Sequence, residues 1–192
     1  MKHVNYTTIT LILIILVFVS CTIDGSFRGL YSYYKVTQKE NPGFIQKPEQ
    51  NLCSLPAPDS IVVYKINGHE LRGCFKSQSL SLVYLWSPNC SAEVCIPPNY
   101  AQEYSNTRNV DLFVVANYYD YRKMTIDYKL NRPIFGINTE HYRTNLTDRY
   151  LKKFRNDLLD GETIDNENPR FLLFQSDSLI AFSSSIEGLN IN

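Results

Sequence analysis

This chain has few histidines and no surplus of charge of either sign. The three histidines, His3, His69 and His141, stand far apart in sequence, so no metal site is supported. Lysine plus arginine number 19 and aspartate plus glutamate 19, for a net charge of +0. No run of basic residues appears, which excludes nucleic acid as the expected partner. There is no internal repeat, no low-complexity segment and no motif that asks for a cofactor. A long apolar run is also missing: residues 9–19 are almost wholly apolar, which is shorter than the ~20 residues that cross a bilayer.

That short run has another use. It follows a polar head with Lys2, contains no charged residue, and ends at Ser20-Cys21. Its size is that of the apolar region of a secretory signal. A small residue followed by cysteine resembles the lipobox of bacterial lipoproteins, although Phe18 stands where that family usually has leucine. The resemblance implies cleavage before Cys21, a lipid on that cysteine, and a protein held at the bacterial cell envelope facing the periplasm. An uncleaved membrane anchor and a buried helix are the other readings. Residues 1–20 are then a signal peptide, residues 21–58 a lipid-anchored tether and irregular lead-in, and residues 59–192 one domain.

What the chain does have is aromatic residues and cysteines. The 14 tyrosines and 10 phenylalanines are expected to pack in or beside a core. Export implies an oxidising compartment. Cys53, Cys74, Cys90 and Cys95 then allow three pairings, and the pairing of near neighbours, 53 with 74 and 90 with 95, is the expected one.

Along the chain, SIVVYKINGHELRGCF reads as a β-hairpin turning at Asn67-Gly68. LSLVYLW has hydrophobic character on both faces, as a central strand does. Residues 91–107 read as a helix kinked near Pro97-Pro98. VDLFVVANYYD is a second central strand, 121–130 a helix, and PIFGIN a short extended piece. In DRYLKKFRNDLL the residues Tyr150, Leu151, Phe154, Leu158 and Leu159 recur at helical spacing. PRFLLFQSDSLIAFSSS closes the chain as a hairpin turning at Ser176-Asp177-Ser178. Strands alternating with helices predict an α/β fold, a central mixed sheet with helices on both faces and an extra N-terminal hairpin.

By this reading Cys90 stands where a central strand hands over to a helix. Free amides and the helix dipole there favour thiolate over thiol, and the thiolate is the nucleophile of disulfide exchange. Trp86 precedes Cys90 by four positions, and Pro98 follows it by eight. These residues, with NPRFLLFQSDSLIA, resemble the thioredoxin fold, and within it the thioredoxin-like lipoproteins and TlpA-type oxidoreductases. The resemblance covers roughly residues 60–186. It implies that Cys90 is the nucleophile, that Pro169 is a cis-proline lying against the redox cysteines, and that Trp86 and Pro169 contact substrate. Protein thiols or disulfides would be the partners.

One departure matters. The family's second cysteine falls at position 93, which is Glu93, whereas Cys95 lies two residues on. In a regular helix, Cα atoms five positions apart stand roughly 8–9 Å from each other, and a disulfide spans at most about 7 Å. The pair therefore closes only if Cys90 stays outside the helix or the first turn is distorted. Counting from Trp86 alone puts Ser87 in the nucleophile's place and Cys90 in the resolving place; the Pro98 spacing speaks against it. Glu93 beside Cys90 is expected to oppose the thiolate.

The leading expectation is a thiol–disulfide oxidoreductase in which Cys90 attacks and Cys95 resolves. The rival is a non-catalytic binding module with a structural Cys90–Cys95 disulfide, presenting the Pro169 loop and the segment at Tyr118, Tyr119 and Tyr121. Cys53 and Cys74 are expected to staple the lead-in to the hairpin. A peroxide-reducing enzyme needs an arginine and a threonine beside its cysteine, and no such cluster is visible near Cys90.

Overall fold

A computed structural model describes residues 29–49, 51–56, 61–75, 80–93, 95–162, 164 and 168–189. The expected signal segment and Cys21, the expected site of lipidation, lie outside the described residues. Among those described, the order is α1 (Tyr34–Glu40), β1 (Ile45–Gln46), a 3-10 turn (Leu52–Ser54), β2 (Val63–Ile66), α2 (Gly68–Arg72), β3 (Leu80–Trp86) and α3 (Pro98–Thr107). Then come β4 (Asp111–Ala116), α4 (Tyr121–Met124), β5 (Phe135–Ile137), α5 (Thr139–Tyr142), α6 (Thr147–Leu159), β6 (Phe171–Gln175) and β7 (Ser178–Ser183).

The strand β3 organises the molecule. Successive side chains of a strand point to opposite faces. Leu82, Tyr84 and Trp86 therefore enter one hydrophobic layer, with Ala101 of α3 and Phe171. Val83 and Leu85 enter the opposite layer, with Leu71 of α2 and Tyr150, Phe154 and Leu158 of α6. The two layers sandwich a seven-stranded mixed sheet of order β1-β2-β5-β4-β3-β6-β7. The strands from β1 through β3 in that order pair in parallel, whereas β6 joins β3 and β7 joins β6 antiparallel. This is an α/β architecture with helices on both faces, as the alternation of elements implies.

Three local expectations are corrected. Asn67-Gly68 is a helix start and not a hairpin turn. The Asn67 side chain accepts from Glu70 N at 2.9 Å, and Glu70 Oε2 accepts from Asn67 N at 2.8 Å. This reciprocal cap satisfies two orphan amides, and the helix it begins buries Leu71 completely. Gly68 serves close packing: a Cβ there would overlap the Phe154 carbonyl oxygen and the Leu158 nitrogen of α6. Among the described residues the extra N-terminal hairpin is thus not formed, and β1 and β2 run parallel instead.

The second correction concerns Pro97 and Pro98, which open a helix where a kink was expected. Pro97 is the extended N-cap residue and Pro98 the first helical residue. At that position the missing N–H removes no helical bond and the ring presets φ. Residues 91–93 and 95–97 consequently lie outside the helix. Part of the lead-in packs on the rest of the chain: Tyr34, Phe44, Ile45 and Leu55 are buried, and Ser32 N donates to Asn145 O at 3.0 Å. The third correction is one of length: the helix expected over 121–130 ends at Met124. Among the described residues no helix is long and apolar enough to cross a membrane.

Candidate functional site

The chain leaves β3 at Trp86 and turns through Ser87-Pro88-Asn89 to Cys90. Cys90 N donates to Ser87 O at 3.1 Å, and Asn89 N donates to the Tyr118 hydroxyl at 3.0 Å. A second turn brings Cys95 N to Ala92 O at 2.8 Å. Cys90 and Cys95 are joined by a disulfide, with Cα atoms 5.8 Å apart. Non-helical backbone on both sides of the pair makes this possible, in accord with the geometric condition drawn from the spacing. The strand also anchors the segment beyond the pair: the Tyr84 hydroxyl donates to Ile96 O at 2.6 Å, and its ring stacks on Phe171 with centroids 4.5 Å apart. Burial holds the Tyr84 phenol well above its ordinary pKa, with Arg170 opposing the shift, so the hydroxyl keeps the proton it donates.

Cys90 therefore does not sit at a helix start. Helix α3 begins at Pro98, beyond both cysteines, and its dipole is not what faces the sulfurs. A guanidinium is. Arg170 Nη1 lies 2.7 Å from Cys95 Sγ, and Nη2 lies 3.5 Å from Cys90 Sγ. The backbone of Arg170 is held in the sheet from both sides: its carbonyl accepts from Leu85 N at 2.7 Å, and its N–H donates to Ser183 O at 3.0 Å. Both sulfurs belong to half-buried residues, whereas Glu93 is exposed. The expected acidic influence of Glu93 is thus set against a cation in direct contact, which favours thiolate once the bond is reduced.

Pro169 directly precedes Arg170 and is buried. No cis peptide occurs among the described residues, so the Asn168–Pro169 bond is trans, and the expected cis-proline is corrected. Trans is the intrinsically favoured isomer of a prolyl bond. Trp86 is 4% exposed and packs edge-on against Tyr128, with centroids 5.5 Å apart. It therefore offers little surface to a docked substrate. Tyr118 and Tyr119 are also buried, at 6% and 3% exposure, and of that trio Tyr121 alone is exposed. Ser87, the other possible nucleophile position, accepts from Asn117 Nδ2 at 2.9 Å.

Cys53 and Cys74 form the second disulfide, with Cα atoms 5.0 Å apart. It ties the 3-10 turn to the end of α2. Arg132 extends the tie: it donates to Cys53 O at 2.5 Å and clasps Asp111 with two bonds of 2.8 and 2.6 Å. His69 and His141, distant in sequence, both approach Asp157, at 3.4 and 3.8 Å. Among the described residues no group of three ligating side chains could hold a metal ion.

Arg170 is the residue that sequence reading missed. An arginine at the mouth of a hairpin strand carries no local pattern pointing at cysteines 75 and 80 positions away. Only the antiparallel pairing of β3 with β6 brings it there. No family model matches this chain, and no curated protein and no solved structure matches it.

Proposed function

We propose that this protein is an envelope-anchored, thioredoxin-like thiol–disulfide oxidoreductase working through Cys90 and Cys95. The observation that carries the reading is the Arg170 guanidinium in contact with both sulfurs of a disulfide at the end of the central strand. A fixed structural disulfide has no need of a cation. A thiolate does, because a charge-assisted bond to sulfur lowers the cost of ionising it. The order of the strands around β3 supports the thioredoxin-like comparison: a parallel neighbour on one side, and an antiparallel hairpin opened by Pro169 on the other.

In the reduced protein the Cys90 thiolate attacks one sulfur of a partner's disulfide. An S–S bond forms between Cys90 and that sulfur, and the partner's other sulfur leaves as a thiolate. Cys95 thiolate then attacks Cys90 Sγ, reforming the Cys90–Cys95 bond and releasing the partner's second thiolate. Two electrons pass to the partner, and two protons follow from solvent. The reverse sequence oxidises a partner dithiol, and relative reduction potentials set the direction. Because Arg170 lies nearer Cys95, it acts most strongly on the resolving step. The signal before Cys21 supports a lipid-anchored, periplasm-facing location.

The test is insulin-disulfide reduction by the mature domain beside Cys90→Ser and Cys95→Ser. Turnover by the wild type, loss in both variants, and a mixed disulfide trapped on Cys95→Ser are expected. No turnover, with a Cys90–Cys95 bond that resists mild reductant, would sink the proposal. The second reading, a binding module with a structural disulfide, draws on one observation: the pair lies outside any helix start, unlike the redox pairs of the family it resembles.

A further inference from the structure

A cleft of about 450 Å³ lies between the start of β6 and helix α6, and Arg170, which touches both sulfurs of the disulfide, is part of its wall. Its lining includes Lys152, Arg155 and Arg170, with Asp148 the one carboxylate among the described residues lining it. Arg155 is half-buried, and its guanidinium is turned to a neutral acceptor, Asn168 Oδ1, at 2.7 Å. Arg170 is spent on sulfur and not on a carboxylate. Among the described residues none of the three cations forms an ion pair with an acid. Three cations share the cleft wall with a single carboxylate, Asp148, which acts electrostatically on Arg155; the excess positive charge there loses hydration that an incoming anion restores. The lining also holds two neutral polar residues, Ser87 and Asn117, the latter with a buried Oδ1 that has no hydrogen-bond partner among the described residues. The volume falls in the range of small-ligand and side-chain pockets.

We propose that this cleft binds carboxylates carried by the disulfide substrate, seating them beside the bond that Cys90 attacks. The inference rests on the redox reading for its role, and on the cleft alone for its binding. The carboxylate comes either from acidic side chains flanking a partner's cysteine or from a small free acid bearing a disulfide. The two share one chemistry and differ in reach. Lys152 is exposed on α6, and the guanidinium bonded to the sulfurs is that of Arg170, so substitution of Lys152 leaves that contact in place.

The experiment compares exchange rates on matched disulfides. One set is a peptide disulfide with aspartates, serines or lysines flanking its cysteines. The other is dithiodipropionate, bis(hydroxyethyl) disulfide and cystamine. The wild type is expected to prefer the acidic member by about tenfold at low salt, with the preference fading as salt rises. Lys152→Glu should abolish most of that preference. A preference confined to the peptides assigns a polypeptide substrate, and one shared by dithiodipropionate assigns a small acid. Equal rates for acidic and neutral probes, or a preference that survives both Lys152→Glu and Arg155→Gln, overturns the proposal. A separate arm measures binding of a cysteine-free acidic peptide to the oxidised protein. If no probe is exchanged but this peptide binds and Lys152→Glu weakens it, the redox reading falls and the cleft stands. If it fails to bind while neutral disulfides exchange well, the cleft falls alone.

Discussion

Arg170 reaches across from the mouth of β6 to Cys95, Nη1 to Sγ at 2.7 Å, while its own backbone is bonded to Leu85 and Ser183. The cation is thus aimed by the sheet and not by a flexible loop. Removing it should make the more acidic thiol of the reduced protein harder to ionise, because an adjacent cation favours the charged form. Arg170→Gln keeps the length and some hydrogen bonding, and removes the charge. Alkylation rate against pH, followed by mass spectrometry of each cysteine, reads the change. Because the contact to Cys95 is the shorter, the variant should also accumulate mixed disulfide on Cys90. An unchanged thiol titration would remove Arg170 from the chemistry.

The Cys53–Cys74 bond lies apart from this chemistry and closes a loop of 21 in sequence separation. Cys53→Ala with Cys74→Ala should lower stability by about 3 kcal/mol, through the freed entropy of the unfolded chain. Urea midpoints measure the loss. Disulfide exchange by the folded fraction should be retained; its disappearance would mean that this pair takes part in electron transfer.

Gly68→Ala tests the fit of α2 on α6. Helix propensity alone would favour alanine by about 1 kcal/mol. The new methyl would meet backbone atoms of Phe154 and Leu158, which cannot rotate aside. Overpacking of that kind costs about 1–3 kcal/mol, so the net change should be destabilising. A variant more stable than wild type in chemical denaturation would show that the helices sit further apart.

Buried phenols set the alkaline limit. Burial is the main cause holding Tyr84, Tyr119, Tyr142 and Tyr150 above the ordinary phenol value. In the unfolded chain these groups lose protons near pH 10. Above that pH the unfolded state binds fewer protons than the folded one, so stability falls as pH rises. It is fully present below about 10. Denaturant midpoints should therefore be flat through neutral pH and drop in the alkaline range. A midpoint that holds steady well above pH 10 would contradict the burial of these rings.

Much of the fold was legible because its signals are periodic and local. LSLVYLW is apolar on both faces because both faces are covered. The stripe through Tyr150, Phe154 and Leu158 is what a helix needs to lie on a sheet. The hairpin at Ser176-Asp177 is carried by its turn residues, with Ser176 at positive φ. The failures are equally physical. Asn-Gly serves a tight turn and a capped, closely packed helix equally well, and only α6 lying against Gly68 separates the two. Two prolines can kink a helix or begin one, and the difference is whether the turn before them is already helical.

From the sequence alone came the central strands, the amphipathic α6, and a disulfide pairing that follows from nearness along the chain. Those depend on residues within a few turns of each other. The arrangement of charge at the sulfurs did not come from it. Arg170 meets Cys90 and Cys95, and His69 and His141 meet at Asp157, because strand pairing and helix docking fold distant segments together. Residue periodicity encodes a segment's own shape, while its distant neighbours are selected by the whole chain's packing.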